Sequence, residues 1–433
     1  MSKKESKKKT KERKLHTLDY FLIIVVVLFV ILFLLGIHGK SIKFAGFKSF
    51  KDLTTSAPEE ENEIDKALLD DNDKLPVENN VFNPEPPAPD ITIKLSAIGD
   101  IMAHNTQITD AYDKTLGYDF SKCFKDIPDL VKDSDFFMGN LETTFAGSKK
   151  KYSGYPQFNT PEQLATDLKE LGLDLVTTAN NHSLDTGYAG VESTIAFLDE
   201  AGLPHTGTFN SQESHDQIYV TDINGIKTAF LAYTYGTNGI PIPSGKEYCI
   251  NLIDRNLISK QIKEAKEQEC DLIVVSMHWG VEYRTSPTAE QKELAEFLFK
   301  EGADVIIGSH PHVLEPFEKR EITLDDGTKK DGFVIYSMGN FISGQTQANT
   351  RNSILLHLTI TKNGKTGKIS IDKVEYDPLY TYTYPKMKNY KVIDLRRRVT
   401  DYEAGVDNLI GKSDYDYLKP ELDYVDNLLN PEG

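Results

Sequence analysis

Residues 302–312 read GADVIIGSHPH. Val305–Ile307 is a short apolar run that stops at Gly308-Ser309, and His310 and His312 follow around Pro311. The same order recurs along the chain. Leu95–Ile98 stops at Gly99-Asp100, with His104 beyond, and Asp135–Met138 stops at Gly139-Asn140-Leu141-Glu142. Leu173–Val176 runs into TTANNH, which ends on Asn181 and His182. Leu272–Ser276 ends at Met277-His278-Trp279-Gly280, and Phe333–Ser337 at Met338-Gly339-Asn340. Helical patterns lie between these runs. One opens at Thr160-Pro161-Glu162-Gln163, with Thr160 as cap, and stops near Gly172. Val191, Ile195 and Leu198 share a face of a second, and Asp254–Gln268 and Pro287–Lys300 are two more. Ile354–Ile360 and Lys368–Val374 read as a hairpin around Asn363-Gly364. Apolar strands alternating with helices predict an α/β fold with the sheet covered by helices. In such folds the ligand site lies outside the carboxyl ends of the strands.

The polar residues at those ends have a shared chemistry. Five of the ten histidines, His104, His182, His278, His310 and His312, lie just beyond an apolar run, together with Asp100, Glu142, Asn181 and Asn340. Imidazole with carboxylate and amide oxygen suits a divalent transition metal such as Mn, Zn or Fe; an all-oxygen Mg or Ca site needs no histidine. Six or seven ligands are too many for one tetrahedral zinc. They fit two ions sharing a carboxylate, a pair able to lower the pKa of bound water and clamp both oxygens of a displacement at phosphorus.

The N-terminal region reads differently. Residues 20–37, YFLIIVVVLFVILFLLGI, carry no charge over 18 positions, close to a membrane span. Residues 1–40 hold nine Lys/Arg and three Asp/Glu, so +6 of a total of −17 lies there and −23 in the rest. The basic cluster precedes the span. The positive-inside rule therefore puts residues 1–19 in the cytoplasm and everything past Lys40 outside the cell, as a single-pass membrane protein. An acidic, Pro-rich stretch over 38–90 reads as a stalk, 91–376 as the folded domain, and 377–433 as a Tyr-rich polar extension. Cys123, Cys249 and Cys270 show no CxxC spacing and cannot all pair, which suits an exported chain independent of disulfides. The acidic balance argues against a nucleic-acid partner.

Six ordered blocks carry a specific resemblance: GDIMAHN (99–105), GNLETTF (139–145), TTANNHSLDTG (177–187), MHWGVEY (277–283), GADVIIGSHPHVLEPFE (302–318) and YSMGNFISG (336–344). They resemble the CapA (PgsA) family of poly-γ-glutamate capsule biosynthesis proteins, which looks like a branch of the calcineurin-like metallophosphoesterases. The resemblance covers about residues 92–345. It implies a four-layer αββα metallophosphatase-like sandwich and a role in capsule synthesis or export beside membrane-bound ligase and channel components. It matches Asp100, Glu142, Asn181, His278, His310 and His312 to metal ligands, with Glu142 as the bridge. His182 matches the histidine that binds substrate and protonates the leaving oxygen. Two departures stand out. The superfamily's Asp-x-His is here Asp100-x-x-x-His104, so His104 is either a ligand or a neighbour of one, and Glu replaces the usual bridging Asp at 142.

Other marked residues are Asp185, read as a helix cap in preference to a partner that orients His182, and Trp279, read as packing beside the site. Glu282 and Arg284 read as a surface pair, with Arg284 also placed to receive a carboxylate or phosphate. Asn340 is a candidate substrate contact. The rival reading is an extracellular dinuclear-metal phosphoesterase or amide hydrolase unrelated to capsule. Poly-γ-glutamate is a polyanion, and a −23 ectodomain repels it in general, so any grip must be local.

Overall fold

A computed structural model describes residues 88–430, apart from Asp325 and Pro385. The readings for the basic tail (1–19), the membrane span (20–37) and residues 38–87 of the stalk fall outside the described residues. Among the described residues no helix is long and apolar enough to cross a membrane.

In chain order the strands are β1 (Ile91–Ile101), β2 (Tyr112–Asp113), β3 (Gly117–Tyr118), β4 (Phe136–Leu141), β5 (Leu175–Thr177), β6 (His205–Thr206), β7 (Tyr219–Ile223) and β8 (Ile226–Thr234). Then follow β9 (Leu272–His278), β10 (Val305–Ser309), β11 (Leu314–Thr323), β12 (Lys329–Met338), β13 (Asn340–Ile342), β14 (Asn352–Lys362), β15 (Ile369–Tyr382) and β16 (Lys391–Asp394). One sheet runs β16-β15-β14-β1-β4-β5-β6, with β13 also pairing with β1; a second runs β11-β12-β10-β9-β8-β7. β1, β4, β5 and β6 are parallel, as are β8, β9, β10 and β12.

The central strands are apolar on both faces because each face has its own partner. Leu95 and Ala97 of β1 and Phe136 and Met138 of β4 pack with Phe230, Val274 and Ile307 of the other sheet. Phe136 stacks on Phe230 at 4.7 Å. The alternate residues Ile98, Phe137 and Val176 pack on Leu164 and Leu168 of helix Gln163–Leu171 and Leu198 of helix Tyr188–Glu200. In the second sheet Ile273, Val275 and Ile306 pack on Ile258 and Ile262 of helix Arg255–Glu267 and Leu294 and Leu298 of helix Ala289–Glu301. Each such side chain contributes roughly 1.5–3 kcal/mol on burial. The order is helix, sheet, sheet, helix, the four layers expected.

Two local readings differ. Helix Gln163–Leu171 starts later than its Thr160 signal, because the Thr160 hydroxyl bonds Thr143 across the fold at 2.7 Å and does not cap. The boundary at residue 376 falls inside β15. β16 extends the same sheet, and Val425 and Leu429 of helix Lys412–Leu429 enter the core between the sheets. Arg398, in helix Leu395–Glu403, ties this region to Asp126 at 2.6 Å.

Two glycines allow close backbone approach at the ligand edge. A Cβ on Gly99 would lie 2.0 Å from the Gly339 carbonyl oxygen, and one on Gly308 would lie 2.0 Å from that of Tyr336. Gly308→Ala is therefore expected to destabilise the fold by about 3 kcal/mol in chemical denaturation. A cost near zero would mean that the strand ends relax freely.

Candidate metal centre

The strand ends bring the expected side chains to one edge. Asp100 lies at the end of β1, Glu142 follows β4, Asn181 and His182 follow β5, His278 ends β9, and His310 and His312 follow β10. All seven are buried. Ligand atoms of Asp100, Glu142 and His312 lie within 4.8 Å of one another, as do those of Glu142, His278 and His310. Glu142 belongs to both groups.

The Glu142 distances fit ligation better than hydrogen bonding. Glu142 Oε1 is 3.7 Å from both His278 Nε2 and His312 Nε2, too far for a hydrogen bond. Two donors on one tetrahedral ion with bonds of about 2.1 Å stand about 3.4 Å apart. Both Glu142 oxygens and His310 Nδ1 are buried without a partner, although a buried carboxylate ordinarily has one. Asn181 Oδ1 lies 2.8 Å from His278 Nε2, on the same side. The residues present therefore fit a metal centre.

Neighbouring groups aim the imidazoles. His312 Nδ1 lies 3.1 Å from Asp100 Oδ2 and 3.1 Å from Asn340 Oδ1, which leaves Nε2 toward Glu142. His278 Nδ1 lies 3.0 Å from Ser309 Oγ, which leaves its Nε2 toward Asn181 and Glu142. Such partners fix ligand tautomer and orientation. His310 and His312 adopt φ of 96° and 59°, a region costing about 1–3 kcal/mol for a side-chain-bearing residue. The SHPH turn holds that strain while aiming two rings from one short loop.

His182 stands apart from both groups. Its Nδ1 lies 2.7 Å from Asp185 Oδ2, which also accepts the Phe158 N–H at 2.6 Å. Asp185 is thus not the helix cap expected: Gly187 takes that position before helix Tyr188–Glu200.

Other expectations need correction. His104 belongs to neither group. It caps helix Asn105–Ala111, its Nδ1 accepts the Gly344 N–H at 3.1 Å, and the extra residues after Asp100 carry it to the far side of Phe158. Asn340 is fully buried; besides His312 Nδ1, it bonds the Thr350 carbonyl at 2.9 Å, so in this structure its side chain holds the His312 ring. Arg284 is exposed on the loop after His278. Glu282 is not merely its surface partner, because its carboxylate groups with His310 and His312 within 4.8 Å. Trp279 packs as expected, donating to the Tyr336 carbonyl at 2.9 Å.

Sequence reasoning passed over Asn140, whose amide donates to Asp100 Oδ1 at 2.8 Å. It also missed Tyr235, half-exposed with its ring 4.6 Å from that of His310. Asn140 lies in the GNLE block two residues before Glu142, which was a usable signal; Tyr235 had none.

Burial, then the neighbouring histidines, holds His310 down to about 3 and His278 well below its ordinary range. Burial also lowers His104 to about 4. Both ligand imidazoles are therefore neutral and able to donate a lone pair. Glu142 is raised by burial, then by Asp100 and Glu282, which favours its neutral form in the metal-free chain. The signs decide the pH dependence. An unfolded His titrates near 6.5, so on acidification the unfolded chain binds protons that these three folded imidazoles refuse. Their contribution is lost as pH falls below about 6.5. Glu142 works oppositely, losing its contribution as pH rises above the ordinary Glu value.

The model of the family described as bacterial capsule synthesis protein PGA_cap matches residues 94–345. This chain belongs to the PGA_cap family. It is 30% identical over 281 residues to the capsule biosynthesis protein CapA of Bacillus anthracis, covering 63% of this chain and 65% of that protein, just under two thirds of its length. It is 29% identical over 290 residues to the PGA biosynthesis protein CapA of Bacillus subtilis (strain 168), covering 66% of this chain and 72% of that protein. A solved phosphatase from Mycoplasma pneumoniae is similar at 16% identity and TM-score 0.41, covering 67% of this chain and 94% of that one. The family match contains all the metal-centre residues from Asp100 to His312, and it ends before β14.

Proposed function

We propose that this chain is a membrane-anchored, extracellular protein of poly-γ-glutamate capsule synthesis or export, and that its strand-end edge is a metal-dependent hydrolase-type centre. Family membership supports the capsule role. One observation supports the chemistry: Glu142 is buried, both its oxygens lack a partner, and it is shared by two ligand groups.

A pair of divalent transition ions, when bound, supplies Lewis acidity and a water of lowered pKa. Asp100 and His312 would hold one position, His278, His310 and Asn181 the other, with Glu142 between them. The chain's own contribution is proton handling and orientation. Asp185 accepts the Nδ1–H of His182, which fixes the tautomer and leaves Nε2 to exchange a proton with substrate. Burial of the centre excludes bulk water and strengthens each of these interactions. The same side chains serve the rival reading, a phosphoesterase or amide hydrolase unrelated to capsule. Deleting the gene in the native host separates the two. Loss of surface poly-γ-glutamate, restored by wild type but not by the Glu142 variant, supports the capsule reading; an unchanged capsule overturns it.

The proposed topology rests on the charge asymmetry about residues 20–37. Protease added to intact, wall-stripped cells is expected to remove residues 41–433 and leave a short anchored stub. Protection until lysis would reverse the orientation.

A further inference from the structure

Residues 147–159 form a loop fastened to the edge of the metal centre. The Phe158 ring lies between His104 at 5.1 Å and His182 at 4.7 Å, edge-on to each. The Gly154 N–H donates to Asn105 Oδ1 at 2.9 Å, next to His104. Buried Asn159 holds the middle of the loop: its amide donates to the carbonyls of Lys150 at 2.7 Å and Lys151 at 3.2 Å, and its Oδ1 accepts the Ala146 N–H at 2.7 Å. The Lys150 ammonium donates to the Thr186 carbonyl at 3.2 Å, one residue beyond Asp185. The loop is therefore ordered against the His182–Asp185 pair, and it presents Lys149, Lys150 and Lys151, all exposed.

Among the described residues two runs place three bases side by side, Lys149–Lys151 and Arg396–Arg398. Arg320 pairs with Glu296, Lys329 with Glu321 and Lys330 with Asp304. Arg396, Arg397 and Arg398 pair with Asp426, Asp401 and Asp126. Among the described residues no carboxylate forms an ion pair with Lys149, Lys150 or Lys151. An acidic domain has thus left three adjacent ammonium groups without counter-charge, on a loop braced against its candidate proton-transfer residue.

We propose that Lys149–Lys151 are a docking strip for a polycarboxylate chain, the local grip that the acidic domain otherwise lacks. The identity of the polymer rests on the capsule reading; the strip itself rests on the loop. Single exposed ammonium–carboxylate contacts are weak and screened by salt, but a polymer with a carboxylate on every unit engages several at once.

The test titrates the full-length chain with a short γ-linked glutamate oligomer at low and high salt. Its controls are an α-linked glutamate oligomer, polyphosphate and a neutral γ-linked glutamine oligomer. The variant K149Q/K150Q/K151Q is compared with K260Q/K263Q/K292Q, which removes equal charge from exposed lysines of the helices over the second sheet. The strip predicts binding about tenfold weaker in the first variant, with a shallower salt dependence, and little change in the second. Equal binding by wild type and the first variant, equal losses in both variants, or no binding of any polyanion overturns it. If the wild type ignores the γ-linked oligomer but binds the α-linked one through the same three lysines, the strip stands and the capsule reading fails; binding of polyphosphate alone overturns the strip.

Discussion

Glu142→Gln is expected to weaken metal binding by at least about 100-fold while leaving the metal-free fold as stable as wild type. Even neighbours of metal ligands are worth about 10–100-fold in affinity, and Glu142 belongs to two of the three ligand groups. The second half of the expectation follows from its surroundings. In the metal-free chain the carboxyl is buried and raised toward its neutral form with Asp100 beside it, so a neutral amide of the same shape keeps its surroundings and relieves a like-charge contact. Metal titration with parallel urea unfolding checks both halves. A variant that keeps metal, or that unfolds markedly earlier without it, would show that Glu142 is a structural residue.

His182→Ala and His310→Ala are expected to fail differently. His182 touches Asp185 and belongs to neither ligand group, so its alanine variant should keep metal and fold. Any hydrolytic turnover should fall by about 100-fold or more, the usual worth of a positioned proton-transfer group. His310→Ala should lose metal. Because His310 sits at φ 96° with Nδ1 unpartnered, its removal should cost the metal-free chain little stability. Metal content and turnover measured side by side separate the two. Equal metal loss in both variants would make His182 a ligand and remove the proton-transfer role.

Much of this arrangement was legible because the chain repeats one device. An apolar run ends at glycine or another small residue, and the polar group follows at once, as in Gly99-Asp100 and Gly308-Ser309-His310. The period of the runs gave the layers, and the shared position of their ends gave the site. Contacts set by packing across the fold were not legible. Asp185 sits just ahead of a helix, where a cap and a histidine partner look identical in sequence. Asn340 meets His312 only because β13 lies beside β1. The C-terminal region hid for another reason. In helix Lys412–Leu429 the buried Leu418, Leu422, Val425 and Leu429 are interleaved with Tyr, Asp and Lys, and Pro420 stands inside the helix. Its apolar stripe is narrow, and the core it completes is built from strands far earlier in the chain.

The central claim is that the strand-end edge is a metal centre bridged by Glu142. Elemental analysis of the full-length chain after gentle purification, followed by titration with Mn, Zn and Fe, tests it most directly. The account predicts about two divalent transition ions per chain in wild type and in His182→Ala, and their loss in Glu142→Gln. A wild-type chain that carries no metal and takes up none of the three would contradict it.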